Sequence, residues 1–344
     1  MTATGLYDEL QRKNRRATRL LLIGAVLIAA VIVWVAFGFL APELALDPVG
    51  GFLVTAIGTA VGLLFTYLAY RSGPRLALRA SKARPVSREE APELYNVFDE
   101  VCVSAGIMGT KPTLHLVDDP APNAFATGLT PEDSHVAVTT GLVERLPRYE
   151  LRAVLAHEVA HILNDDIRAV TVAVATAGLV ALLADVMVRF VWLGGARRRG
   201  GGGRDGGGGA QALFLVLGIL AMILAPLAAQ VIRFAVSRQR EYLADATAAD
   251  LLRDPQSMVN ALRRIDHDHG QLRNFEAATA HLWFEEPNET KDQPGQRSAG
   301  PTKMARRFAT HPSIQERIER LATLNAGMVS LDAPLPPPPP PSGR

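Results

Sequence analysis

The run His157-Glu158-Val159-Ala160-His161 holds the residues of this chain best spaced for chemistry. On a helix, side chains four apart lie one above the other on the same face. His157 and His161 can therefore offer two imidazole nitrogens to one ion. Zinc suits the pair, because it takes nitrogen and oxygen donors tetrahedrally and in catalytic sites leaves a position for water. Glu158 adjoins His157, near that water without being a ligand. A metal-bound water has a lowered pKa, and Glu158 is the base to take its proton during attack on a peptide carbonyl. Such a five-residue match arises by chance in on the order of one chain in a hundred, so its surroundings matter. They are helical: Leu151, Val154, Leu155, Val159, Ile162 and Leu163 form an apolar face beside the motif.

Two histidines leave a catalytic zinc short of a third protein ligand. Glu241, in Arg240-Glu241-Tyr242-Leu243-Ala244-Asp245, is the candidate. Asp245 shares its helix face and can accept a hydrogen bond from the far nitrogen of a ligating histidine, which fixes the tautomer. Taken alone, Glu241 and Asp245 read as a solvated acidic pair balanced by Arg238 and Arg240. Beside the first motif the metal reading prevails. The implied cofactor is one Zn2+ per chain.

The elements that must position these residues include long apolar blocks. The chain has 344 residues, a net charge of +2 and one cysteine, Cys102. Near-neutral charge gives no field that points to nucleic acid. One cysteine excludes an internal disulfide and a Cys-rich zinc module, and it suits a reducing compartment. The positive mean hydropathy comes from four blocks. Leu20–Leu40 and Phe52–Tyr70 are uncharged and of spanning length, which is roughly 20 residues. Basic residues crowd the start of the first (Arg12, Lys13, Arg15, Arg16, Arg19) and the end of the second (Arg71, Arg75, Arg79, Lys82). The connection between them has none. Both flanks are thus placed in the cytoplasm, as a hairpin. Ala169–Leu193 carries Asp185 and Arg189, and Leu213–Val236 carries Pro226, Gln230 and Arg233. These two blocks read as a second spanning hairpin, or as one packed on the catalytic domain. Two crossings return Glu241 to the side of His157.

The expected fold is mainly α with a small β-sheet and four transmembrane helices. Helices are predicted over Pro92–Gly106, Tyr149–Asn164, Arg240–Arg253, Pro255–Asp266 and Pro312–Leu324. Short strands are predicted over Thr113–Val117, Asn123–Thr127 and His135–Thr139. The resulting organisation is a cytoplasmic segment with the first hairpin (1–71), the first catalytic half (72–168), the second hairpin with its Gly/Arg-rich loop (169–236), the second catalytic half (237–328) and a disordered Pro-rich tail (329–344).

These features together resemble the HtpX family of membrane-bound zinc metallopeptidases, gluzincins related to the CAAX prenyl proteases. The resemblance rests on the early hydrophobic pair, Pro122-Asn123-Ala124-Phe125-Ala126-Thr127-Gly128, the His157–His161 motif, the second hydrophobic pair, Ser237–Ala246 and Thr310-His311-Pro312. It implies a zincin-like domain with zinc on His157, His161 and Glu241 and with Glu158 catalytic. It implies a multi-pass cell-membrane protein whose site faces the cytoplasm, cleaving misfolded or damaged membrane proteins in stress-linked quality control. It also implies that Asn123, Ala124 and Phe125 form an edge strand to which a substrate adds as a further strand. For His311 two roles stay open, oxyanion stabiliser or packing at a helix start. The partners expected are the bilayer and protein substrates, with no nucleic acid. Rival functions are a non-catalytic metal-containing scaffold or chaperone and a processing protease for lipidated C-termini. Glu158 argues against the first, and the small number of early spans against the second.

Overall fold

The computed structural model describes residues 47–172, 238–267 and 312–339, with scattered positions between 12 and 31. Most of the first apolar block, nearly all of the third and fourth, the Gly/Arg-rich loop and His311 lie outside the described residues.

Helix α1, Pro48–Ala80, runs for 33 residues. At 1.5 Å per residue it is about 50 Å long. It passes Tyr70, the end of the apolar block, and continues through Gly73 and Pro74 into the run Arg75–Ala80. Its stretch Pro48–Leu68 has a mean hydropathy of 1.9, with only 28% of an 18-residue window buried. Phe52, Leu53, Leu63, Leu64 and Leu68 are exposed. A core helix of a soluble protein would bury them. Among the described residues this is the one helix long and apolar enough to cross a membrane; the other three expected spans lie largely outside the described residues.

The chain divides into two units, residues 16–73 with 172–235, and residues 1–15, 74–171 and 236–344. The second unit holds the sheet: β1 (Arg84–Pro85), β2 (Thr113–Val117), β3 (Ala124–Gly128) and β4 (Ser134–Thr139), in the order β1-β2-β4-β3. β2 pairs parallel with β4, while β3 pairs antiparallel with β4, Ala124 opposite Val138. Around it stand α2 (Pro92–Ser104), α3 (Thr140–Arg145), α4 (Arg148–Leu163), α5 (Arg238–Leu252), α6 (Pro255–His267) and α7 (Ile314–Leu324). Fold class is therefore mainly α with a small mixed sheet. The short α3 and the two-residue β1 escaped the sequence pattern because neither is long enough to show a period.

α2 begins with Pro92 in its first turn, and the chain leaves it through Gly106 at φ +69°, a left-handed value that favours glycine. Gly141 has a different constraint. An added Cβ there would stand 2.0 Å from the Pro120 carbonyl oxygen. α7 starts two residues later than Pro312 suggested, because Ser313 and Glu316 form a reciprocal capping box that fixes Ser313 as the N-cap.

α4 is the centre of the unit. Val154, Leu155 and Val159 are fully buried with Phe98 and Val101 of α2 and Val259 and Leu262 of α6 in one core. Its opposite face is buried as well, since Ala156, His157 and Ala160 are at 0% exposure. A helix buried on two opposite faces needs partners for the polar groups it carries there, and that requirement shapes the site. Cys102 lies in the same core, where burial pushes its thiol up to about 11. A thiol held protonated in this way is a packing group.

Candidate metal centre

α4 supplies His157, Glu158 and His161, and α5 supplies Glu241 and Asp245. The Nε2 atoms of His157 and His161 lie 3.1 Å apart. Glu241 Oε2 is 3.6 Å from His157 Nε2, and Glu241 Oε1 is 3.7 Å from His161 Nε2. Tetrahedral zinc ligands at 2.0–2.1 Å from the ion stand roughly 3.3 Å from one another. The three donors fit that spacing and converge on one point. Among the described residues they form the only group of His, Cys, Asp and Glu side chains that could hold a metal ion.

Their outer atoms are engaged too. Asp245 Oδ1 is 2.8 Å from His157 Nδ1. Asp166 Oδ2 is 3.3 Å from His161 Nδ1. A carboxylate at each Nδ1 holds the proton there and leaves the Nε2 lone pair free for a metal. Each carboxylate in turn faces an arginine. Arg317 of α7 donates to Asp245 through Nε at 2.8 Å and Nη2 at 2.6 Å. Arg240 Nε stands 3.7 Å from Asp166 Oδ1. Both histidines thus sit in the same chain of groups, arginine to carboxylate to imidazole.

Burial sets the electrostatics. Arg317 and Asp245 are 1% and 2% exposed, so their mutual attraction is little screened. Burial raises the Asp245 carboxyl, but Arg317 and His157 outweigh it and hold the group below its ordinary value. Burial lowers His157, yet its bonds to Asp245 and Glu241 dominate and carry it to about 9. Glu158, 2% exposed, is pushed up by burial and by Glu241, against the pull of the two histidines. A raised carboxyl is what a base needs if it must later return the proton.

The solvated reading of the α5 acidic pair is overturned, since Glu241 is 5% exposed. Asn123, Ala124 and Phe125 fall at the start of β3, the edge strand of the described sheet. Ala124 and Phe125 are buried, and Asn123 turns its side-chain oxygen to the Ala124 N–H. His115 and His135 meet edge to face across β2 and β4, ring centroids 5.1 Å apart, and are not members of the metal group.

Two members of the site, Asp166 and Arg317, were missed from sequence. Asp166 follows a break in the helix at Asp165, whose φ is +58°. Arg317 had a signal: it sits three residues after Ile314 and one before Ile318 in the α7 stripe completed by Leu321. An arginine on an apolar face requires a buried anion.

Residues 88–325 match the model of peptidase family M48. A protein named Protease HtpX homolog from Streptococcus gordonii is 38% identical over 316 residues, covering 92% of this chain and 99% of that protein. One of the same name from Thermoanaerobacter pseudethanolicus is 39% identical over 262 residues, 76% of this chain and 82% of its own. Another, from Listeria monocytogenes, is 36% identical over 316 residues, 90% and 97% of the two chains. No solved structure matches. The matched region contains β2, β3 and β4, the three donors and both arginines, and with relatives that align over most of its length the chain belongs to peptidase family M48, among its HtpX-type members.

Proposed function

We propose that the protein is a membrane-bound zinc endopeptidase that cleaves misfolded or damaged membrane proteins, and unfolded chains, on the cytoplasmic side. The observation that carries this is the convergence of His157 Nε2, His161 Nε2 and the Glu241 carboxylate on one point, with a carboxylate behind each imidazole. His157, His161 and Glu241 would hold the metal. A bound zinc ion would supply Lewis-acid polarisation and a water of lowered pKa. Glu158 would be the proton acceptor beside it and would return the proton to the leaving amine. Asp245 and Asp166 keep the imidazole protons on Nδ1 throughout. β3 is the edge along which an extended substrate would pair, and such pairing requires the buried Asn123–Phe125 segment to be uncovered. The exposed apolar face of α1 supports membrane attachment. The basic residues that follow Leu68 support a cytoplasmic site.

The test uses protein purified in detergent with zinc removed, then given zinc and casein. Cleavage appears with zinc and disappears in Glu158→Gln. Equal cleavage by both forms rejects the reading. Glu241→Ala should lower zinc content sharply, and unchanged stoichiometry rejects its place as a ligand. In closed vesicles, protease accessibility should place the region after Val236 on the cytoplasmic side.

A further inference from the structure

The segment that leads into the proline-rich end of the chain runs beside α6. Its hydrogen bonds have a period. The Gln256 side chain both accepts from the Ser330 N–H at 2.7 Å and donates to the Ser330 carbonyl at 3.2 Å. Arg263 Nη1 donates to the Ala333 carbonyl at 2.7 Å. Arg264 Nη2 donates to the Pro336 carbonyl at 2.6 Å. The bonded carbonyls are those of residues 330, 333 and 336, one every third residue. Residues 331–333 turn the chain, and residues 334–339 have no regular secondary structure. Side chains of α6 thus hold the tail at three places along its main chain, while Val329 packs against the core at its start.

We propose that α6 presents a docking face, formed by Gln256, Arg263 and Arg264, whose occupant is the chain's own segment 330–336. All its bonds go to the main chain of that segment, three to carbonyls and one to the Ser330 N–H. Pro334 and Pro336 restrict the backbone before it docks, which lowers the entropy lost on binding. The occupant is tethered at Val329, which holds it at an effective concentration in the millimolar range for a short linker. The docked tail also reaches the motif helix. Arg264 grips the buried Glu150 of α4 with Nε at 2.5 Å and Nη2 at 3.0 Å, and the same Nη2 holds Pro336. Occupancy of the face therefore fixes the arginine that anchors the first turn of the helix carrying His157.

The experiment uses a labelled synthetic peptide of residues 328–339 and fluorescence anisotropy in detergent. A chain ending after Val329 should bind it, and the full-length chain should bind it at least tenfold more weakly, because its own tail competes. Arg263→Ala and Gln256→Ala in the shortened chain should each weaken binding several-fold. A shortened chain that retains its helical circular dichroism and zinc content but does not bind the peptide overturns the proposal. So does equal binding by the two lengths. If the shortened chain does not fold, hydrogen exchange on the full-length protein decides. Gln256→Ala with Arg263→Ala should speed exchange at Ser330 at least tenfold, and unchanged exchange overturns the proposal.

Discussion

Arg317 offers the sharpest test of how the metal centre is held. Replacing it by methionine keeps most of its length and removes the charge. Asp245 then loses two charge-assisted bonds, of 2.8 and 2.6 Å, at a place only 2% exposed. Breaking a buried ion pair from one side costs about 3–5 kcal/mol, mainly from the charge left behind. His157 stays beside Asp245 and offsets part of that, so Arg317→Met should cost about 3 kcal/mol, the lower end of that range. Adding Asp245→Asn removes the stranded charge while keeping an oxygen for His157 Nδ1. The double variant should therefore recover at least ~2 kcal/mol of the loss. Urea unfolding of the zinc-free protein in a Glu158→Gln background, which prevents self-digestion, measures both quantities. Chelator competition on the same proteins should show zinc affinity lowered about 10–100-fold by Arg317→Met, the range seen when the orientation of a ligand is lost. Equal destabilisation of the single and double variants would show that Arg317 acts by packing alone.

Asp166→Ala removes the acceptor at His161 Nδ1 and should weaken zinc binding by about tenfold or more with little change in fold, measured by chelator competition; an unchanged affinity rejects its role. The pH dependence has opposite signs with and without metal. His157 holds its proton up to about 9, above its ordinary 6.5, so it stabilises the zinc-free fold fully below 6.5 and that contribution is lost as pH rises through about 9. Zinc must displace the same proton, so its affinity rises across this window. The difference in Tm between zinc-loaded and chelated protein should widen from pH 6.5 to 9, and a constant gap contradicts the assignment. Gly141→Ala forces a Cβ to within 2.0 Å of the Pro120 carbonyl oxygen, and should destabilise by about 1–3 kcal/mol, as overpacking does; a neutral result would mean that the turn moves freely.

What could be read from the sequence divides by distance along the chain. α4, α5 and α6 appear within two residues of the ends read from the sequence, because α6 shows a strong helical period and α4 and α5 are runs of helix formers over three turns or more. The pairs His157 with His161 and Glu241 with Asp245 are visible for the same reason, since the four-residue step is a property of one helix. Asp166 is only five residues from His161 and was still missed. The turn at Asp165 takes it off the helix, and no local pattern shows which way the chain emerges. Arg317 lies 72 residues from Asp245, and nothing in the spacing joins them. What joins them is a balance of charge. Asp245, Glu241 and Glu158 are carboxylates at 5% exposure or less, gathered about two imidazoles. Without a cation, that much negative charge could not remain ionised there, because each carboxylate would take up a proton instead. Arg317 is a permanent cation, since an arginine stays charged at any pH the fold survives. It keeps Asp245 an acceptor whether or not a metal is bound. The order of dependence therefore runs from α7 to the metal: the last described helix sets the charge of Asp245, which sets the proton on His157, which sets the lone pair that an ion can use.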